Sequence, residues 1–81
     1  MTLRVLYFAS LRDRAGVREE SLEMPEGSTA ADLWDALGRR HPDLARFQPR
    51  PLVACDKTYA TWETRLDGVR EVAFLPPVSG G

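Results

Sequence analysis

Val72-Ala73-Phe74-Leu75-Pro76-Pro77-Val78-Ser79-Gly80-Gly81 ends the sequence, and the rest of the chain takes its meaning from it. Val72 to Leu75 is an apolar run of strand type. Two consecutive prolines donate no ladder hydrogen bonds, so the strand stops at Leu75, and their fixed φ carries the remaining residues away from the body. The reading is a body over residues 1–75 and an extended, flexible tail over 76–81. Pro76, Pro77, Val78 and Ser79 form the stem of the tail; its six residues reach at most about 20 Å. Gly80 and Gly81 carry no side chain, so a carboxylate at Gly81 fits a slot too narrow for a β-carbon. Such a carboxylate, with a pKa of roughly 3.5, is an anion at neutral pH. It can attack the α-phosphate of ATP, and the acyl adenylate formed is open to a nucleophile; with sulfur as that nucleophile the end becomes a thiocarboxylate. The competing reading is a small-residue terminus with no task.

Upstream, Leu3 to Phe8 reads as the first strand and Val69 to Leu75 as the last. Arg4 and Glu71 mark the solvent parity in each, which puts Leu3, Val5, Tyr7, Val72 and Phe74 inside and Leu6, Phe8, Ala73 and Leu75 outside. Ala9 to Gly16 reads as a polar loop, and Val17 to Met24 as a half-buried return strand that Pro25-Glu26-Gly27 stops. Thr29 with Asp32 three residues on is close to a capping box, and Ala30, Leu33, Trp34 and Leu37 occur at helical spacing until His41-Pro42. A short helical turn is the most that Leu44 to Phe47 can hold. Leu52 to Cys55 and Thr58 to Ala60 flank a turn at Asp56-Lys57, and Thr61 to Gly68 is a loop anchored by Trp62 and Leu66. One helix across one face of a mixed sheet is the α+β, β-grasp arrangement.

Phe74-Leu75-Pro76-Pro77-Val78-Ser79-Gly80-Gly81 resembles the C-terminal signature of the small subunit of molybdopterin synthase, a ubiquitin-like sulfur carrier. Val5-Leu6-Tyr7-Phe8-Ala9-Ser10-Leu11-Arg12-Asp13-Arg14-Ala15-Gly16 is similar to the start of that family, and the resemblance covers the whole chain. It departs around Leu66-Asp67-Gly68-Val69-Arg70-Glu71-Val72, with one residue more than the family usually has, and at Cys55. The resemblance implies a ubiquitin-like fold with the first and last strands as parallel neighbours. It also implies an E1-like enzyme that spends ATP to adenylate Gly81, a sulfur donor, and a large subunit, in a heterotetramer, where the sulfur attacks a cyclic pyranopterin precursor. The chain itself would bind no cofactor and catalyse nothing alone, supplying a reactive end but no base or oxyanion site. Two alternatives remain at this point: a sulfur carrier for thiamin or tRNA thiolation, which share the Gly-Gly end, and a plain interaction module.

Composition narrows the classes. The 81 residues suit one domain with a modest core. Eleven basic and twelve acidic residues are interspersed, which gives no reason to expect nucleic acid or an anionic membrane as partner. A lone cysteine forms no internal disulfide, and no Cys/His spacing points to a metal. No apolar run reaches the length of a signal or membrane segment, so the expected location is cytoplasmic. Gly27, Gly38 and Gly68 are isolated and make no phosphate loop, which assigns ATP to the activating partner. Cys55, in a short apolar strand, reads as inert; His41 as a helix-end residue; Arg12-Asp13-Arg14 as solvated loop, with a rim contact to an acidic partner as the functional option; and the carboxylates as scattered on solvated faces.

The outward residues of the two end strands are unusually apolar for a solvent face. If the first and last strands are neighbours, Leu6, Phe8, Ala73 and Leu75 share one apolar patch at the base of the tail, the mark of a partner surface. Covering each of Leu6, Phe8 and Leu75 contributes roughly 1.5 to 3 kcal/mol before the costs of association. The competing expectation is that a loop of the same chain, through Trp62, covers them.

Overall fold

The computed structural model describes residues 1–77, so the readings of Val78, Ser79, Gly80 and Gly81, tail flexibility included, lie outside the described residues. In chain order the elements are β1 (Thr2–Tyr7), α1 (Ser10–Ala15), β2 (Glu19–Glu23), α2 (Ala30–Arg40), α3 (Pro42–Ala45), β3 (Leu52–Cys55), β4 (Thr58–Ala60) and β5 (Glu71–Leu75). The sheet runs β2-β1-β5-β3-β4. Among the described residues only β1 and β5 pair in parallel, with Val5 opposite Val72 and Tyr7 opposite Phe74; the other neighbours are antiparallel. This is the β-grasp order, and it places the end of β5, where the chain turns into Pro76, in mid-sheet.

Parity decides the core. Leu3, Val5, Tyr7, Val53, Val72 and Phe74 alternate onto one face and are buried together with Ala30, Leu33, Trp34 and Leu37 of α2. The helix starts where the sequence says it should. Thr29 Oγ1 accepts from the Asp32 amide at 3.2 Å and Asp32 Oδ2 accepts from the Thr29 amide at 3.0 Å, so each residue satisfies a donor that the first turn would otherwise leave open. The Ala30 and Ala31 amides donate to the carbonyls of Thr64 and Trp62, which ties the long loop before β5 to the same helix end. Pro42 stops α2 and opens α3, and Gly38 lets α3 fold back: a β-carbon there would sit 3.2 Å from that of Ala45.

Four expectations change. Ser10–Ala15, read as loop, is a helix of six residues, because Leu11 and Ala15 at i, i+4 both reach the core and Gly16, at φ 79°, caps the end by donating to the Arg12 carbonyl. The last strand begins at Glu71 and not Val69, and the second spans Glu19–Glu23 rather than Val17–Met24. Trp62 does not cover the outer face. It stacks on Phe74 at 6.0 Å and meets Trp34, with the Arg50 guanidinium 4.0 Å above its ring, all on the core side of the sheet.

Candidate functional site

The outer face of the sheet is sorted by end. At the far end Arg4 lies opposite Glu71 across the parallel pair, and Arg4 Nε reaches Glu19 at 2.7 Å. One step along, Leu6 lies opposite Ala73, Ala73 opposite Ala54, and Ala54 opposite Tyr59. At the end where the chain leaves the sheet, Phe8 donates its amide to the Phe74 carbonyl and so sits beside Leu75, which faces Leu52. The four residues expected to form the patch, Leu6, Phe8, Ala73 and Leu75, therefore come together in a groove of about 420 Å³ that Ala54 and Tyr59 continue and that Lys57 and Glu71 close at its charged end.

Their exposure differs in a useful way. Phe8 is 46% exposed, Leu52 40% and Tyr59 70%, while Ala73 and Ala54 are nearly covered by the larger side chains around them. The result is a flat alanine floor with an aromatic wall on each side. An exposed apolar surface of this kind is the usual mark of an interaction site. Val17, 40% exposed, extends the apolar zone beyond Phe8 toward β2. Nothing local in the sequence assigns Val17, Leu52, Ala54 and Tyr59 to the patch. The register that brings β3 and β4 beside β5 is long-range, and only the alternation of Leu52 and Ala54 with buried Val53 hints at it.

The hairpin that supplies Tyr59 is held firmly. Asp56 and Lys57 both take positive φ, 48° and 71°, the mirror-image turn that matches strand twist. The Asp56 carboxylate accepts from the Arg70 and Glu71 amides at 3.1 and 3.0 Å, pinning the turn to the start of β5. Tyr59 and Lys57 are thereby carried on a braced edge. Pro76 and Pro77, half-buried, continue from Leu75.

On the opposite side one carboxylate departs from the scattered, solvated reading. Glu20 of β2 accepts from Tyr7 Oη at 2.6 Å, lies 2.7 Å from His41 Nε2 and pairs with Arg40 Nε at 2.9 Å. Burial pushes its carboxyl up, but the hydrogen bonds from Tyr7 and His41 and the charges of His41 and Arg40 outweigh that, and the net displacement is downward. The Tyr7 hydroxyl is pushed well above its ordinary range, first by burial and then by the Glu20 bond. This network fastens the end of α2 to edge strand β2 and explains His41 structurally. Cys55 is half-buried on the core side, with burial and then Asp56 raising its thiol, the opposite of what a reactive thiolate requires. Among the described residues no group of three or more His, Cys, Asp or Glu side chains could hold a metal ion, and no helix is long and apolar enough to cross a membrane.

The geometry is a β-grasp body with an open apolar groove beside the strand that leads into the tail, and known proteins share its fold. The ThiS family model matches residues 5–81. The molybdopterin synthase sulfur carrier subunit of Homo sapiens is 34% identical, over 98% of this chain and 93% of its own. That of Chlamydomonas reinhardtii is 35% identical, over 100% of both chains. Among solved structures, SAMP1 from Haloferax volcanii superposes with a TM-score of 0.84 at 28% identity, again over 100% of both chains. The chain belongs to the ThiS family and, within it, groups with the molybdopterin synthase sulfur carrier subunits.

Proposed function

We propose that this chain is the sulfur-carrying subunit of a molybdopterin synthase, with Gly81 as the sulfur-bearing end. The observation that carries the reading is positional: the groove runs along β5 from Lys57 and Glu71 to Leu75, and its apolar part, Leu6, Phe8, Ala54, Tyr59, Ala73 and Leu75, adjoins the point where β5 runs on into Pro76-Pro77-Val78-Ser79-Gly80-Gly81. A partner seated on the groove has the tail within reach of its own interior. The full-length likeness to curated sulfur carrier subunits supports the same assignment.

The chemistry assigned to the tail comes from the carboxylate. An E1-like adenylating enzyme joins the Gly81 carboxylate to the α-phosphate of ATP and releases pyrophosphate. Sulfur at the oxidation level of sulfide then displaces AMP, which leaves with one of the original carboxylate oxygens, and the thiocarboxylate remains. The groove seats the body on the large subunit, in a heterotetramer, and the thiocarboxylate sulfur passes to the cyclic pyranopterin precursor. Gly80 and Gly81 keep the channel contact narrow, and Pro76, Pro77, Val78 and Ser79 span the distance. This chain contributes no base, so turnover belongs to the assembled pair, in the cytoplasm, and ATP is bound only by the activating enzyme.

The test is reconstitution. The thiocarboxylated chain, mixed with a molybdopterin synthase large subunit and the cyclic precursor, is expected to yield molybdopterin, whereas either protein alone yields none. Formation of no product, with the sulfur passing instead to a thiazole or tRNA acceptor system, would overturn the assignment of pathway. One residue appended after Gly81 is expected to abolish charging.

A further inference from the structure

Beside the apolar groove lies a second one, of about 410 Å³, lined by Leu6, Phe8, Arg12, Val17, Arg18 and Glu19 together with Tyr7. Leu6 and Phe8 line both and form the ridge between them. The two grooves differ in charge. Glu19 is already engaged by Arg4, at 2.7 Å and 3.2 Å through two guanidinium nitrogens. Arg12, on α1, and Arg18, just before β2, form no ion pair with any carboxylate among the described residues. Arg14 lies over the Phe47 ring and donates to the Asp43 carbonyl, Arg40 pairs with Glu20 and Arg46 with Asp43, while Arg39 and Arg70, also outside any ion pair among the described residues, do not line this groove. The second groove therefore presents two guanidiniums that close no ion pair among the described residues, Arg18 acting on Glu19 only through space, beside exposed Phe8 and Val17.

We propose that this groove is the electrostatic rim of the docking face, and that its occupant is an acidic segment of the large subunit whose carboxylates meet Arg12 and Arg18 while apolar side chains flank Phe8. The inference rests on the docking role given to the apolar groove under the proposed function. It divides the face into an apolar zone that holds the complex and a cationic zone that guides its formation. Rim charges act mainly on encounter and on salt dependence, because they remain hydrated and screened, whereas buried apolar anchors act mainly on dissociation. Helix α1 is the device that places Arg12 here, since Leu11 and Ala15 pin its other face to the core.

The measurement is the association rate of the full chain with the purified large subunit at low and at physiological ionic strength, for the parent, for Arg12→Glu/Arg18→Glu and for Phe8→Ala, with thermal melts of each as folding controls. The double variant is expected to associate roughly tenfold or more slowly at low salt, with the difference shrinking at higher salt, and to dissociate at an unchanged rate. Phe8→Ala is expected to do the reverse, raising dissociation and sparing the salt dependence. A double variant that folds and associates at the parental rate, with the parental salt slope, overturns the acidic-partner inference while leaving the docking role intact. A parent that does not bind the large subunit at all overturns the docking role itself, and this inference with it.

Discussion

The two faces of one sheet are built from alternate residues of the same strands, yet they have opposite fates. Along β1, Leu3, Val5 and Tyr7 are buried against α2, while Leu6, one residue out of step, is half-buried and Phe8, just past the strand, is open. On β5, Val72 and Phe74 are sealed, while Ala73 and Leu75 form the floor and edge of a groove. Both sets are apolar, so hydrophobicity alone does not say which residues hold the fold and which stay uncovered. The covering element does: α2 lies across one face, and nothing among the described residues lies across the other. Stability and the proposed docking role are thereby separated by a period of two along the chain.

Substitutions on the two faces should therefore part company. Phe74→Ala, which removes a fully buried ring packed on Trp34 at 4.9 Å and on Trp62, is expected to cost about 3 to 5 kcal/mol and to leave much of the chain unfolded in a denaturant titration. Phe8→Ala is its counterpart across the sheet. It should lower the unfolding free energy by no more than about 0.5 kcal/mol while weakening large-subunit binding by roughly 1.5 to 3 kcal/mol. Equal losses of stability and of binding in the two variants would erase the distinction between the faces.

Smaller effects belong to the inner side. Glu20→Ala strands the Tyr7 hydroxyl and should cost about 1 to 3 kcal/mol in chemical denaturation. Because the folded-state carboxyl of Glu20 is displaced below its ordinary value, it contributes stability that is present above the unfolded carboxylate range and lost as the pH falls through the folded value. Melting temperatures taken down an acid series should accordingly converge for the parent and Glu20→Gln at the acid end; parallel curves would contradict the network. Thr29→Ala, which opens the cap of α2, is expected to cost about 1 kcal/mol by the same denaturation and to leave docking untouched.

How much of this was legible in the sequence depends on how local each cause is. Arg4 and Glu71 mark parity within their own strands, and Thr29 with Asp32 closes a cap over three residues, so the inner face, the outer patch and the main helix were readable. Asp56-Lys57 between two short apolar runs was readable as a turn for the same reason. Helix α1 was not, because Ser10–Ala15 is short and polar on its surface and its two apolar anchors acquire meaning only once the core exists. Glu20, Tyr7 and His41 meet across three elements, and no spacing announces that. The parallel pairing of β1 with β5 came from resemblance to a family; the register then brought Ala54, Lys57 and Tyr59 to a groove of which sequence had shown four residues.

Whether Gly81 carries sulfur is settled by the intact mass of the chain, with an untagged end, after incubation with ATP, a sulfur source and a cell extract that charges a known ThiS-family carrier. The expected result is a mass gain equal to replacing one oxygen by sulfur, absent when Gly81 is deleted. An unchanged mass under those conditions, with the known carrier charged alongside, would contradict the sulfur-carrier assignment.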